Sequence, residues 1–267
     1  GAWMREFGSW YFDLARTHEG TFVHQGPPNT RHDKYANWDC TGAYLLAYAH
    51  PLKKLYITGK SKPLIPQLDH HQAAETIADG RGWSNKYRNE AYDKIGEKDL
   101  LKLLSRWSPI VRERAAMALG RRGVSPNTEF IEMLSSNNLE TRYGASQALA
   151  HTKTPSPEAV NALRKNLDHE DLWLRIESAE ALAKIGKSAM SALPKLLTML
   201  AQPASEDDPR GMEQRYLSFA IFGKMLRNSL DGVDKDLLRK AIAATLLNED
   251  GRARSDVGRL YGKLTYE

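Results

Sequence analysis

One arginine-centred register occurs five times in the second half of the chain and restricts the fold more than any other feature. In each copy a large apolar residue stands seven positions after an arginine, which is about two turns of an α-helix. The arginines are Arg112, Arg142, Arg175, Arg215 and Arg254, and their successive spacings are 30, 33, 40 and 39 residues. A register that returns at this period is typical of stacked helix pairs. The sequence therefore predicts an all-α solenoid.

Each copy is interpreted as helix A, a tight turn, and helix B, which carries the arginine. A Ser or Asp before Pro favours a helix start, because the side-chain oxygen can accept from free backbone amides and Pro has no amide to satisfy. Such pairs are Ser108-Pro109, Ser125-Pro126, Ser156-Pro157 and Asp208-Pro209. Pro194 falls inside the apolar run of the fourth helix A and predicts a kink or a short preceding turn. The acidic, Pro-containing stretch 202–211 predicts an exposed loop.

The segments SPIVRERAAMALG (108–120) and DLWLRIESAEALAKIG (171–186) resemble HEAT-like repeats of the PBS-lyase type. The resemblance covers about residues 99–267 and weakens in the last two copies. It implies a right-handed superhelix whose repeated arginines contact acidic groups or carbonyl oxygens of an adjacent repeat. The alternative is that the same arginines form a basic ladder on a binding face.

Residues 1–98 have a different character, with six of the eight histidines and four of the six tryptophans. Their apolar patterns predict helices near 3–16, 38–50, 51–60 and 67–78. The turn Gly20-Thr21-Phe22 and the segment YLLAYAHPLKKLYITGK (44–60) resemble the last helical hairpins of α/α-toroid proteins such as terpenoid cyclases and prenyltransferases. Together with the repeats they resemble an uncharacterised bacterial family. The resemblance covers about residues 1–62 and implies that a toroid continues upstream of Gly1.

We accordingly predict two domains, 1–98 as the end of a toroid and 99–267 as five HEAT-like repeats. The candidate pocket lies in the first, around a Pro-rich loop, and consists of His24, His32, Asp33, Trp38, Asp39 and Tyr44. The alternative interpretation places Trp38 and Tyr44 in the core and the histidines on the surface. Asp39 and Cys40 are adjacent, and adjacent helical residues point about 100° apart, so they do not converge on one metal ion. We predict no metal, no cofactor and no catalytic residue, because the familiar catalytic motifs do not occur.

The charge distribution bears on the class of partner. The net charge is +5, with 13 basic against 11 acidic residues in 1–98 and 25 against 22 in 99–267. This even spread, without a run of five basic residues, disfavours a nucleic-acid partner. No apolar run approaches the length of a membrane span, and the single Cys40 excludes an internal disulfide but leaves the compartment open.

Three functions are therefore compared. The leading hypothesis is a non-catalytic scaffold that binds a protein or peptide. The alternatives are a C-terminal module of a toroid enzyme or of a carbohydrate- or lipid-handling protein, and nucleic-acid binding by the inner face of the solenoid.

Overall fold

The structure is a computed structural model that describes residues 68–79, 88–124 and 127–264. The chain divides into two compact units, Gly1–Ile95 and Gly96–Glu267. The predicted domain limits at 98 and 99 remain a proposal. The candidate pocket residues from His24 to Tyr44, the three predicted helices before residue 61 and the toroid-like segment lie outside the described residues.

The described part of the first unit contains α1 (His70–Asp79) and α2 (Arg88–Tyr92). A reciprocal cap begins α1: Oδ1 of Asp69 accepts from the Gln72 amide at 2.7 Å, and Oε1 of Gln72 accepts from the Asp69 amide at 3.0 Å. The helix predicted over 67–78 is thus present, with its start moved to His70. His70 and His71 are exposed on its first turn.

The described part of the second unit is helical and contains no strand. Its α-helices are α3 (Glu97–Leu103), α4 (Pro109–Arg122), α5 (Asn127–Leu134), α6 (Leu139–His151), α7 (Pro157–Asn166), α8 (Leu172–Ile185), α9 (Leu193–Leu200), α10 (Met212–Ser218), α11 (Lys235–Leu246) and α12 (Gly251–Leu264). A 3₁₀ segment, Gly186–Ala192, precedes α9, and a π-helix, Phe219–Met225, continues α10. The odd-numbered helices α3 to α11 are the A helices and the even-numbered helices α4 to α12 are the B helices.

The helix pairs stack in two layers. Each B helix packs against the B helix of the next repeat from α4 to α12, and the A helices pack as α5 on α7 and α9 on α11. Four of the apolar residues that stand seven positions after an arginine lie in the core: Leu119, Leu149, Leu182 and Phe222 are at most 1% exposed. These contacts confirm the predicted all-α solenoid of helix pairs.

The predictions made from Pro194 and from Asp208-Pro209 have different outcomes. α9 begins at Leu193 with Pro194 in its first turn, where the missing amide costs no hydrogen bond, and the 3₁₀ segment before it is the predicted short turn. Asp208-Pro209 was expected to start a helix, and this prediction is wrong. α10 begins at Met212, after Gly211 in the left-handed region (φ 62°). Asp208 still satisfies the helix start, because its carboxylate accepts from the Met212 and Glu213 amides at 2.9 and 2.8 Å.

Candidate interaction face

Three of the repeated arginines donate hydrogen bonds to carbonyl oxygens of the turn that precedes their own helix B. Nη1 of Arg112 donates to the carbonyl oxygens five and six residues earlier, at 2.9 and 2.7 Å. Arg175 makes the same two bonds at 2.8 Å each, and Arg254 donates to the carbonyl oxygen six residues earlier. The resemblance to HEAT-like repeats implies acidic groups or carbonyl oxygens of an adjacent repeat as partners, whereas these carbonyl oxygens belong to the same repeat. Arg112, Arg175 and Arg254 therefore connect the start of helix B to the turn that precedes it.

Three arginines also contact a polar side chain of the following repeat. The pairs are Arg142 Nη2 with Asn166 Oδ1 at 2.6 Å, Arg175 Nε with Glu213 Oε1 at 2.6 Å, and Arg215 Nε with Asp250 Oδ2 at 3.1 Å. Arg112 instead lies over the Tyr143 ring of the next repeat, 5.4 Å from its centroid. The arginines of the first four repeats thus connect neighbouring repeats.

Burial lowers the pKa of two of these arginines, Arg112 and Arg215. Arg112 is 4% exposed, and burial lowers the pKa of its guanidinium while the charges of Glu177 and Glu140 act in the opposite direction. Burial likewise lowers the pKa of Arg215, against the attraction of Asp250. The guanidinium groups of Arg112 and Arg215 are therefore largely withdrawn from solvent.

A row of aromatic side chains runs across consecutive B helices, and we call it the aromatic row. It consists of Tyr143 on α6, Trp173 on α8, Tyr216 on α10 and Phe219 at the start of the π-helix. The first three are half-buried and Phe219 is 39% exposed. Trp173 and Tyr216 meet edge to face, with ring centroids 6.1 Å apart.

Polar contacts hold the rings of the aromatic row in place. Tyr143 donates its hydroxyl to Asp171 Oδ1 at 2.7 Å, and the guanidinium of Arg215 lies 4.6 Å from the Tyr216 ring centroid. Sequence reasoning missed this row, although Tyr directly follows the repeated arginine at both Tyr143 and Tyr216. That repetition was the available signal.

The π-helix exposes Phe219 beside two cations. Lys224 Nζ and the Arg259 guanidinium lie 5.0 and 5.5 Å from the ring centroid. The ring covers Gly223, where a Cβ would come within 2.9 Å of the Phe219 ring. Glu180 pairs with Lys224 and, at 3.8 Å, with Lys184, so this end of the aromatic row carries both charge signs. π-Helical turns occur often at functional sites.

Among the residues that the structure describes, no three His, Cys, Asp or Glu side chains come together in a way that could hold a metal ion. None of the helices among them is long and apolar enough to cross a membrane.

Comparison with protein families matches two parts of the chain. Residues 127–211, from α5 to the turn before α10, match the family described as HEAT repeats, which confirms the repeat type predicted from the sequence. Residues 1–59 match the family described as a domain of unknown function (DUF6288). No protein of curated function matches the chain.

Among solved structures, the chain is similar to two crystal structures of engineered proteins. One is 18% identical, with 76% of this chain and 96% of that chain covered and a TM-score of 0.46. The other is 19% identical, with 76% and 94% covered and a TM-score of 0.45. Both TM-scores are low, so the fold assignment depends on the helix packing and on the HEAT-repeat match.

Proposed function

We propose that this chain is a non-catalytic HEAT-repeat scaffold that binds a protein or peptide partner along the aromatic row. The observation that supports the proposal is that α6, α8, α10 and the π-helix each carry one of these partly exposed rings, and that two of the rings, Trp173 and Tyr216, are in contact. Aromatic and Arg side chains are enriched at the centres of protein interfaces, because they supply large contact areas at a small cost in side-chain entropy. Here their neighbours hold them in place before a partner arrives.

A second exposed aromatic extends the proposed surface toward the first repeat. Trp107 is 65% exposed in the turn between α3 and α4. Its carbonyl oxygen accepts from Arg112, and Arg112 in turn lies over Tyr143. The turn that presents Trp107 is therefore tied to the first ring of the aromatic row, and a partner that follows the B layer can contact both.

The two alternative functions receive less support. Nucleic-acid binding through the repeated arginines needs open guanidinium groups, whereas Arg112, Arg175 and Arg215 bond to carbonyls, carboxylates or a ring within the solenoid. The module of a toroid enzyme depends on the first 62 residues, which lie outside the described residues.

Site-directed photo-crosslinking tests whether a partner binds the B layer. A benzophenone amino acid at Phe219 is expected to cross-link one defined polypeptide in extracts of the native host. The same amino acid at Glu132, which is exposed on α5 in the A layer, is the matched control and should not cross-link it. Equal cross-linking at both positions, or none at Phe219, would contradict the proposal.

The affinity of the purified partner provides a second prediction. Phe219→Ala should weaken its binding by about tenfold or more, which is the usual effect of removing an aromatic anchor from an interface centre. Glu132→Ala should leave the dissociation constant within about twofold, as expected of residues outside an interface. Isothermal titration calorimetry measures both, and circular dichroism checks that the variants fold.

A further inference from the structure

The π-helix at the end of the aromatic row brings a cation next to Phe219. In an α-helix, a side chain five positions further on points about 140° away, because each residue advances by about 100°. In a π-helix the hydrogen bonds join residues five apart, as from the Leu226 amide to the Ile221 carbonyl oxygen at 2.8 Å, so side chains at that spacing lie on the same side. Lys224 follows Phe219 by five residues, and its Nζ lies 5.0 Å from the ring centroid. The wider turn therefore joins a ring and a cation that an α-helix would separate.

Helix α12 adds two cations to the same end of the B layer. The guanidinium carbon of Arg259 lies 5.5 Å from the Phe219 ring centroid. Arg252 precedes Arg259 by seven residues, which is about two turns, so both side chains leave α12 on one side. Over that interval the helix rises by about 10 Å. The cations beside Phe219 thus extend along α12, and together with the lysine that shares Glu180 we call them the cationic strip: Lys184, Lys224, Arg252 and Arg259.

The cations of the strip are more exposed than the carboxylates that pair with them. The side chains of the four cations are between 24% and 55% exposed, and those of the carboxylates are between 5% and 12% exposed. The pairs are Lys184 and Lys224 with Glu180, Arg252 with Asp250, and Arg259 with Asp256. The carboxylates hold the cations from the inner side, so a molecule that approaches Phe219 meets positive groups first.

We propose that Phe219 and the cationic strip bind an acidic peptide segment of the partner. An apolar or aromatic side chain of the segment packs on the exposed Phe219 ring, and its carboxylates pair with the cations of the strip. This inference rests on the proposed function, because it specifies the partner's chemistry at one end of the aromatic row. A nucleic acid fits less well: the four cations and the three carboxylates paired with them sum to a charge of only +1, whereas binding to a phosphate backbone depends on a larger cationic excess.

Fluorescence anisotropy with three labelled short peptides tests the charge and the apolar anchor separately. The probes are an acidic peptide with a central phenylalanine, the same acidic peptide with a central serine, and a basic peptide with a central phenylalanine. The whole chain is expected to bind the first with a dissociation constant on the order of 100 µM at low salt, and the other two at least about fivefold more weakly. Equal binding of either control peptide, or no binding of the first up to about 1 mM, would overturn the proposal.

Substitution of single cations tests whether the acidic peptide binds the strip. Arg259→Gln should weaken its binding about three- to fivefold. Arg239→Gln is the matched control, since Arg239 also pairs with an aspartate three residues earlier but lies on α11 in the A layer, so the dissociation constant should stay within about 1.5-fold. Lys184→Gln is a second variant that leaves Glu180 paired with Lys224, and it should weaken binding about twofold or more. If Arg239→Gln has as large an effect as the strip variants, the peptide does not bind the strip.

A labelled oligothymidylate distinguishes a carboxylate-rich segment from a phosphate backbone. It should bind at least about fivefold more weakly than the acidic phenylalanine peptide, and tighter binding would overturn the inference in favour of nucleic acid. The outcomes also separate this inference from the proposed function. Cross-linking of one polypeptide at Phe219 without preference for the acidic peptide overturns only the inference, whereas the absence of cross-linking at Phe219 contradicts the scaffold proposal whichever peptide binds.

Discussion

Gly144→Ala is expected to destabilise the repeat unit by about 3 kcal/mol or more. Gly144 lies in α6 against Leu104, at the end of α3. A Cβ at this position would stand 1.9 Å from the Leu104 carbonyl oxygen and 2.7 Å from its carbonyl carbon. Backbone atoms cannot rotate away as a side chain can, so α6 must move off the first repeat. Urea unfolding followed by circular dichroism measures the loss.

Gly258→Ala is the matched control for this close approach. Gly258 is an exposed residue of α12, and no heavy atom lies within 4 Å of the Cβ that alanine would add. Alanine is the better helix former, so this variant should be more stable than the wild type by about 0.5–1 kcal/mol. The opposite signs separate the clash at α6 from any general effect of glycine replacement. Equal effects of the two variants would show that α6 does not approach Leu104 so closely.

The stacked architecture follows from periodicity alone. Leu119 and Leu182, each seven positions after a repeated arginine, are buried because two helical turns return them to the side that carries the core. The close packing of Gly144 against Leu104 could not be predicted in this way. The sequence shows that the helix contains a glycine, but not which backbone segment packs against it. The helix start predicted at Asp208-Pro209 is wrong for a related reason. Gly211 adopts a left-handed conformation, and α10 begins directly after it, at Met212.

The spacing of the repeats predicts only part of the aromatic row. Tyr143 and Tyr216 both follow a repeated arginine and could be aligned by eye. Trp173 precedes its arginine, and Phe219 lies at the start of a π-helix, whose wider turn shifts the register of everything beyond it. Which side chains share a surface therefore depends on local helix geometry that period counting does not include. The residues of the predicted pocket between His24 and Tyr44 remain a sequence-based prediction.

Asp250→Ala is expected to destabilise the repeat unit by about 3 kcal/mol. Asp250 is 7% exposed and joins the fourth repeat to the fifth through its pair with Arg215 at 3.1 Å. It also pairs with Arg252 at 2.9 Å and accepts from the Arg252 amide at 2.8 Å, which caps α12. Removal of the carboxylate leaves the buried Arg215 charge without this partner and costs α12 its cap. Asp250→Asn retains an acceptor for the cap and should lose about 1 kcal/mol less.

The surface pair of Asp236 and Arg239 is the matched control, since their side chains are 83% and 74% exposed at a similar distance of 2.8 Å. Asp236→Ala should therefore cost less than about 1 kcal/mol.

The pH dependence of stability tests whether the charge of Asp250 is the cause of its effect. Burial alone would raise the pKa of Asp250, but hydrogen bonds from Arg252 and the charges of Arg215 and Arg252 outweigh it, so the pKa is lowered overall. A lowered pKa in the folded state means that the stabilisation is complete above the unfolded pKa of about 3.9 and is lost as the pH falls through the folded value. The difference in unfolding free energy between wild type and Asp250→Asn should thus be constant from about pH 5 to 7 and shrink below about pH 4. A difference that does not change with pH would assign the effect to packing and not to the ion pair.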